Sequence, residues 1–118
     1  MSETRDQLRL ALACDALCAP LCLGPLWLDG QPTSKADHLR ALKRLDARTK
    51  TLVHLAWSVW NGGGFATVND LLGLEPADVR SFCGLLVAIA DGGGALAEWT
   101  EMQLERAARE LEARRTGT

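Results

Sequence analysis

Between Leu52 and Trp60 the chain reads LVHLAWSVW, and its apolar positions are too dense for a one-sided helix. Wound at the helical period, Leu52, Val53, Leu55, Ala56, Trp57, Val59 and Trp60 cover an arc of roughly 200°. Thr51, His54 and Ser58 line the rest. One neighbour cannot cover so wide a stripe, so this segment is expected to be buried on several sides. Asp46 is suited to cap its start, and NGGG to stop it, with Asn61 or Gly62 in the left-handed position. The preceding helix, capped by Ser34 with Asp37 as box partner, carries Leu39, Leu42 and Leu45 on one side and Arg40, Lys43 and Arg44 on the other. It either ends before Asp46 or runs on into the next.

The same reasoning places the other elements. A first helix from Glu3 to about Leu23, bent or ended near Pro20, is apolar nearly all round after Leu10, with Asp15 the exception. GPLWLDGQPTS reads as a loop whose Trp27 and Leu28 tuck onto the core. Thr67 and Asp70 form a capping box for a short helix that Gly73 ends, and Pro76 opens another that runs to about Ala90. On that helix Val79, Phe82, Cys83 and Leu85 to Ile89 are apolar, which predicts a central position. Ala77, Ser81, Gly84 and Ala88 make a strip of small residues, with Arg80 at its edge. DGGG stops it. A last helix, Ala95 to about Arg115, turns Leu96, Trp99, Leu104, Ala107 and Leu111 inward and is supported by the pairs Glu105–Arg109 and Glu110–Arg114. The expected fold is all-α, with five or six short helices in an orthogonal or bundle-like packing and a helix-turn-helix-like hairpin at about 66–90. It forms one domain over residues 1–118, frayed from about 114.

Composition narrows the function classes more than it selects one. The 118 residues carry a net charge of -2 and 24% charged residues, which disfavours a general nucleic-acid binder. The apolar run from Leu8 to Leu28 is interrupted by Asp15, Pro20, Gly24 and Pro25, so it fits neither an export signal nor a membrane span, and a cytoplasmic protein is expected. Cys14, Cys18 and Cys22 recur every four residues and line up on one helix face, but zinc sites use tighter loop spacings. They are read as small buried hydrophobes rather than as ligands joined by Cys83, and no metal or other cofactor is expected.

The segment FATVNDLLGLEPADVRSFCG, with Gly73 at the turn and Val68, Leu72, Leu74, Val79 and Phe82 at the apolar positions, resembles the general helix-turn-helix pattern. Asn69 departs from it, standing where the pattern takes a small residue. The resemblance implies a second helix presenting Arg80 and Ser81 to a DNA groove. Arg40, Lys43, Arg44, Arg48 and Lys50 would then touch phosphates in support. Glu75 and Asp78 at the presented end oppose this. His38, on the leucine side, is expected to be structural and His54 exposed. No nucleophile or acid stands at a spacing that marks a catalytic set, and no small-molecule substrate is evident.

The leading expectation is therefore a helical protein–protein interaction module without enzyme activity. It would bind itself as a homodimer and another protein through Trp57, Trp60, Val53, Leu10 and Leu17, because tryptophan is enriched at interface centres. DNA is the alternative partner.

Overall fold

A computed structural model describes residues 2–117, with side chains from Asp6 onward. It contains six α-helices: α1 (Ser2–Leu17), α2 (Ser34–Ala41), α3 (Ala47–Asn61), α4 (Val68–Leu72), α5 (Pro76–Asp91) and α6 (Ala95–Gly117). The all-α expectation holds. The last helix continues through Gly117, with the Thr116 hydroxyl bonded to the Glu112 carbonyl.

α1 is the hub, packing against α6, α3 and the 27–32 segment. Its buried residues Ala11, Ala13, Cys14, Ala16 and Leu17, with Cys18 just past its end, are mostly small, so neighbouring backbones approach closely. α3 lies against it and buries seven consecutive residues, Thr51 to Trp57, as its wide stripe requires. α5 does not take the central position expected of it. Phe82, Leu85 and Ala88 face inward, whereas Leu86, Val87 and Ile89 are exposed. The small side chains of α1 admit more neighbours than the bulky ones of α5 do.

The helix ends follow local chemistry. Pro20 ends α1 early: Leu17 is its last residue, a 3-10 turn spans Ala19–Leu21, and Cys22 adopts a left-handed conformation with φ 57°. Thr33, not Ser34, caps α2 by accepting from the Ala36 N–H, and Asp37 pairs with Arg40 instead of closing a box. α2 and α3 are separate, and Asp46 caps α3 through the Thr49 N–H. Gly62 takes the left-handed cap, as NGGG suggests. Gly64 is needed for space, because a Cβ there would overlap the His54 carbonyl oxygen. Thr67 and Asp70 form the expected capping box.

The stretch read as a loop holds a two-residue hairpin turn. Asp29 and Gly30 both have positive φ, 53° and 81°, and join two short antiparallel strands, β1 (Trp27–Leu28) and β2 (Gln31–Pro32). Asp-Gly is the usual composition of such a turn. Asp15 anchors this hairpin, its Oδ1 accepting from the N–H of Leu26 at 2.6 Å and of Trp27 at 3.3 Å. The isolated carboxylate of α1 thus meets backbone donors, not an arginine or a helix kink. Asp15→Ala should destabilise the fold by about 2 kcal/mol, because two backbone donors lose their acceptor, and Asp15→Asn by less. Urea unfolding of the two variants checks this, and equal stabilities would refute the role.

Candidate functional site

The residues first expected to form a partner surface are largely interior. Val53, Trp57 and Leu17 are buried, and only Leu10 and Trp60 remain partly accessible. The reason is mutual coverage. Trp27 packs on Trp57 with ring centroids 5.2 Å apart and on Trp60 at 6.3 Å. The Trp57 indole N–H donates to the Ala36 carbonyl, and the Arg40 guanidinium lies 3.9 Å above the ring. The hairpin and α2 supply the cover that a partner chain was expected to give. This corrects the assignment of Trp57, Val53 and Leu17 to a contact surface.

The histidines exchange roles. His38 is exposed, whereas His54 is 4% exposed and accepts the Phe65 N–H at Nδ1, 3.1 Å away. Its ring also packs on Phe65, so it fastens the segment after NGGG to α3. Burial, with Lys50 and Arg40 nearby, lowers its pKa from the ordinary 6.5. Two of the three aligned thiols are structural, as expected. Cys14 and Cys18 donate to the Ala56 and Leu52 carbonyls, and burial raises Cys14 to about 12 and Cys18 further. Cys22 is exposed, unlike the expectation, because it lies past the end of α1, and Cys83 is exposed on the outer side of α5.

The basic residues near Arg40 divide in the same way. Lys43, Arg44 and Lys50 are exposed. Arg48 is engaged in a network around Asp78, a carboxylate only 1% exposed. The Arg48 Nε and Nη2 donate to the two Asp78 oxygens at 2.8 and 3.0 Å, and Nη1 and Nη2 donate to Glu110 at 2.9 and 3.1 Å. Arg106 approaches Asp78 at 3.5 Å and Glu110 at 3.6 Å, and Arg114 joins through Glu110. The start of α3, the start of α5 and the middle of α6 are thereby tied at one point. Asp78, read earlier as a presented negative charge, is internal.

The side of α5 that a helix-turn-helix would present is occupied by α6. Trp99 of α6 lies over Gly84, where an added Cβ would meet the indole at 3.3 Å, and its N–H donates to the Ser81 carbonyl at 3.0 Å. The strip of small residues is therefore a packing seam. Between the helices it opens into a groove of about 440 Å³ lined by Ala77, Arg80, Ser81, Gly84, Trp99, Met102, Gln103, Arg106 and Arg109. The expected Glu105–Arg109 pair does not form among the described residues, while Glu110–Arg114 does. Sequence reading found Arg80, Ser81 and the strip but not the groove, because Gln103, Arg106 and Arg109 come from a helix whose rotational setting only packing decides.

A second surface stands out on α4. This five-residue helix buries none of its residues. Phe65, Val68 and Leu72 are 78, 73 and 75% exposed. On α5, Val79, Cys83, Leu86 and Val87 recur at spacings of three and four and so share one side, and all but the partly buried Val79 are exposed.

Among the described residues, no group of three or more His, Cys, Asp or Glu is placed to hold a metal ion, and no helix is long and apolar enough to cross a membrane. No protein-family model, curated protein or solved structure matches the chain.

Two measurements follow from these environments. A histidine whose folded pKa is lowered supports the fold fully above its unfolded value and loses that support as pH falls through the folded one. Amide exchange at Phe65 should therefore speed up selectively as pH drops below 6.5, beyond the intrinsic pH trend, and His54→Gln should abolish that dependence. A thiol reagent applied to the native protein should modify Cys22 and Cys83 rapidly, with Cys14 and Cys18 reacting only on unfolding. Four equally fast thiols would contradict the packing of α1.

Proposed function

We propose that the chain is a helical protein–protein interaction module of the cytoplasm and that its first partner is a second copy of itself, met through the α4–α5 hairpin. The observation that carries this reading is α4. An isolated helix of five residues is far too short to be stable on its own. This one has a complete capping box and yet offers Val68 and Leu72, with Phe65 just before them, to water. Large apolar groups gathered on one exposed element mark a surface that another molecule covers.

The available area fits a second copy. Phe65, Val68, Leu72, Leu86 and Val87 together expose on the order of 500 Å² of mostly apolar surface, taking about 150–250 Å² for an aromatic side chain as the scale. A homodimer interface of ordinary size hides about 800 Å² per partner, roughly 65% of it apolar. The hairpin supplies that quantity without help from the interior tryptophans. A net charge of -2 sets up little repulsion between copies. The DNA reading has less support, since α6 covers Ser81 and Gly84 and Arg48 is spent on Asp78 and Glu110.

Light scattering coupled to size-exclusion chromatography tests the proposal. The wild-type chain should elute with twice the chain mass. Val68→Asp with Leu72→Asp should give the single-chain mass with an unchanged helical circular dichroism spectrum. A wild-type protein that stays single-chain at all accessible concentrations would refute it.

A further inference from the structure

The α5–α6 groove has the makings of a ligand site distinct from the hairpin surface. Its wall chemistry is divided. Ala77, Gly84, Trp99 and Met102 give an apolar lining, and Arg80, Arg106 and Arg109 are the cationic residues beside it. Arg106 is already committed to Asp78, Glu110 and the Gln103 carbonyl oxygen. Arg80 and Arg109 form no ion pair or side-chain hydrogen bond among the described residues. Two uncompensated cations therefore flank an apolar slot.

A second observation points the same way. Gln103, another lining residue, is 3% exposed, and its Nε2 has no hydrogen-bond partner. A buried donor left unpaired costs about 1–3 kcal/mol, so native proteins rarely keep one without a use. Its oxygen is held by Arg106 Nε at 3.2 Å, which fixes the amide with its donor side unsatisfied. The nitrogen itself is sealed from water, so an acceptor reaches it only as the side chains of the groove part around an entering ligand.

We propose that this groove binds a small organic carboxylate. The charged end meets Arg80 and Arg109, whose forked geometry suits a carboxylate, and one ligand oxygen takes the Gln103 amide hydrogen. The apolar body rests against Trp99 and Met102. The volume of about 440 Å³ falls within the range of small-molecule sites. A predominantly apolar lining with a few convergent polar groups selects an acid with a substantial hydrocarbon part over a bare anion.

Phenylacetate is a suitable probe, with acetate and inorganic phosphate as comparisons and the Trp99 indole N–H resonance as the reporter. Phenylacetate should shift that resonance saturably. The double variant Arg80→Gln, Arg109→Gln should bind at least about tenfold more weakly, the loss expected from removing charge-assisted hydrogen bonds. Gln103→Met, which removes the donor without changing the volume much, should also weaken binding, with the fold checked by circular dichroism. Neither Arg80 nor Arg109 belongs to the Asp78 network, so the double variant keeps the helices in place, whereas Gln103→Met removes a partner of Arg106 and relies on its circular dichroism spectrum to separate lost binding from lost packing. The absence of a saturable shift, undiminished binding in the double variant, or phosphate binding as tightly as phenylacetate would each overturn the assignment.

Discussion

The arrangement of the later helices depends on one buried carboxylate. Asp78 sits where water cannot reach it, and an unpaired charge in such a place would cost several kcal/mol. It is tolerable only while the Arg48 fork closes on it, with Arg106 beside it. Arg48 stands in the first turn of α3, Asp78 in the first turn of α5, and Arg106 and Glu110 one turn apart on α6. The requirement that these groups meet sets the rotation of α6 about its axis and its position along α5. Hydrophobic contacts alone would leave both looser, since burial is not directional. What the network adds is register more than stability, for an ion pair of this kind gains little over a well-packed apolar substitute.

Once α6 is held there, the three sides of α5 are assigned. The side bearing Ala77, Ser81 and Gly84 closes on Trp99 and becomes a groove floor. The side bearing Phe82 and Leu85 faces the core. The remaining side, with Cys83, Leu86 and Val87, is exposed among the described residues. The core does not need that side, because α1 and α3 already enclose one another, and the hairpin anchored by Asp15 seals the tryptophans. The exposed apolar side chains lie on α4 and α5, after the helix that carries Trp57 and Trp60.

How much of this can be read from residue order follows from which interactions are local. The caps at Asp46, Thr67 and Gly62 and the stop at Gly73 involve residues within four positions of each other, and all are legible. The choice of Thr33 over Ser34 turns on a single residue's backbone angle, which composition does not fix. Roles that depend on distant partners are not legible. His54 looks polar-facing until the chain after Gly64 returns to cover it, and Trp57 looks available until Trp27 and Arg40 close over it. The Asp29-Gly30 turn carried a usable signal, but two-residue strands are too short to show alternation. For the groove, the small strip on α5 was visible and its purpose was not, because half of the walls lie on α6.

The separation of the two surfaces has a mechanical consequence. Residues three, four and seven apart stay on one side of a helix, and Ala77, Ser81 and Gly84 lie on a different side of α5 from Val79, Cys83 and Leu86. A molecule in the groove would touch α6 and one side of α5, whereas a second copy on the hairpin would touch α4 and another side. Neither would obstruct the other. Both nonetheless load the same rigid helix, whose first turn is clamped through Asp78 to α3 and α6. Filling the groove would brace Arg106 and Gln103 against that clamp. Coupling between the sites then requires α5 to have two distinct seatings on α6, and the close contact of Trp99 with Gly84 favours one. The two proposed surfaces are thus independent of one another on one helix, the proposed association resting on α4 and the outer side of α5 and the proposed ligand choice on the arginines of the groove.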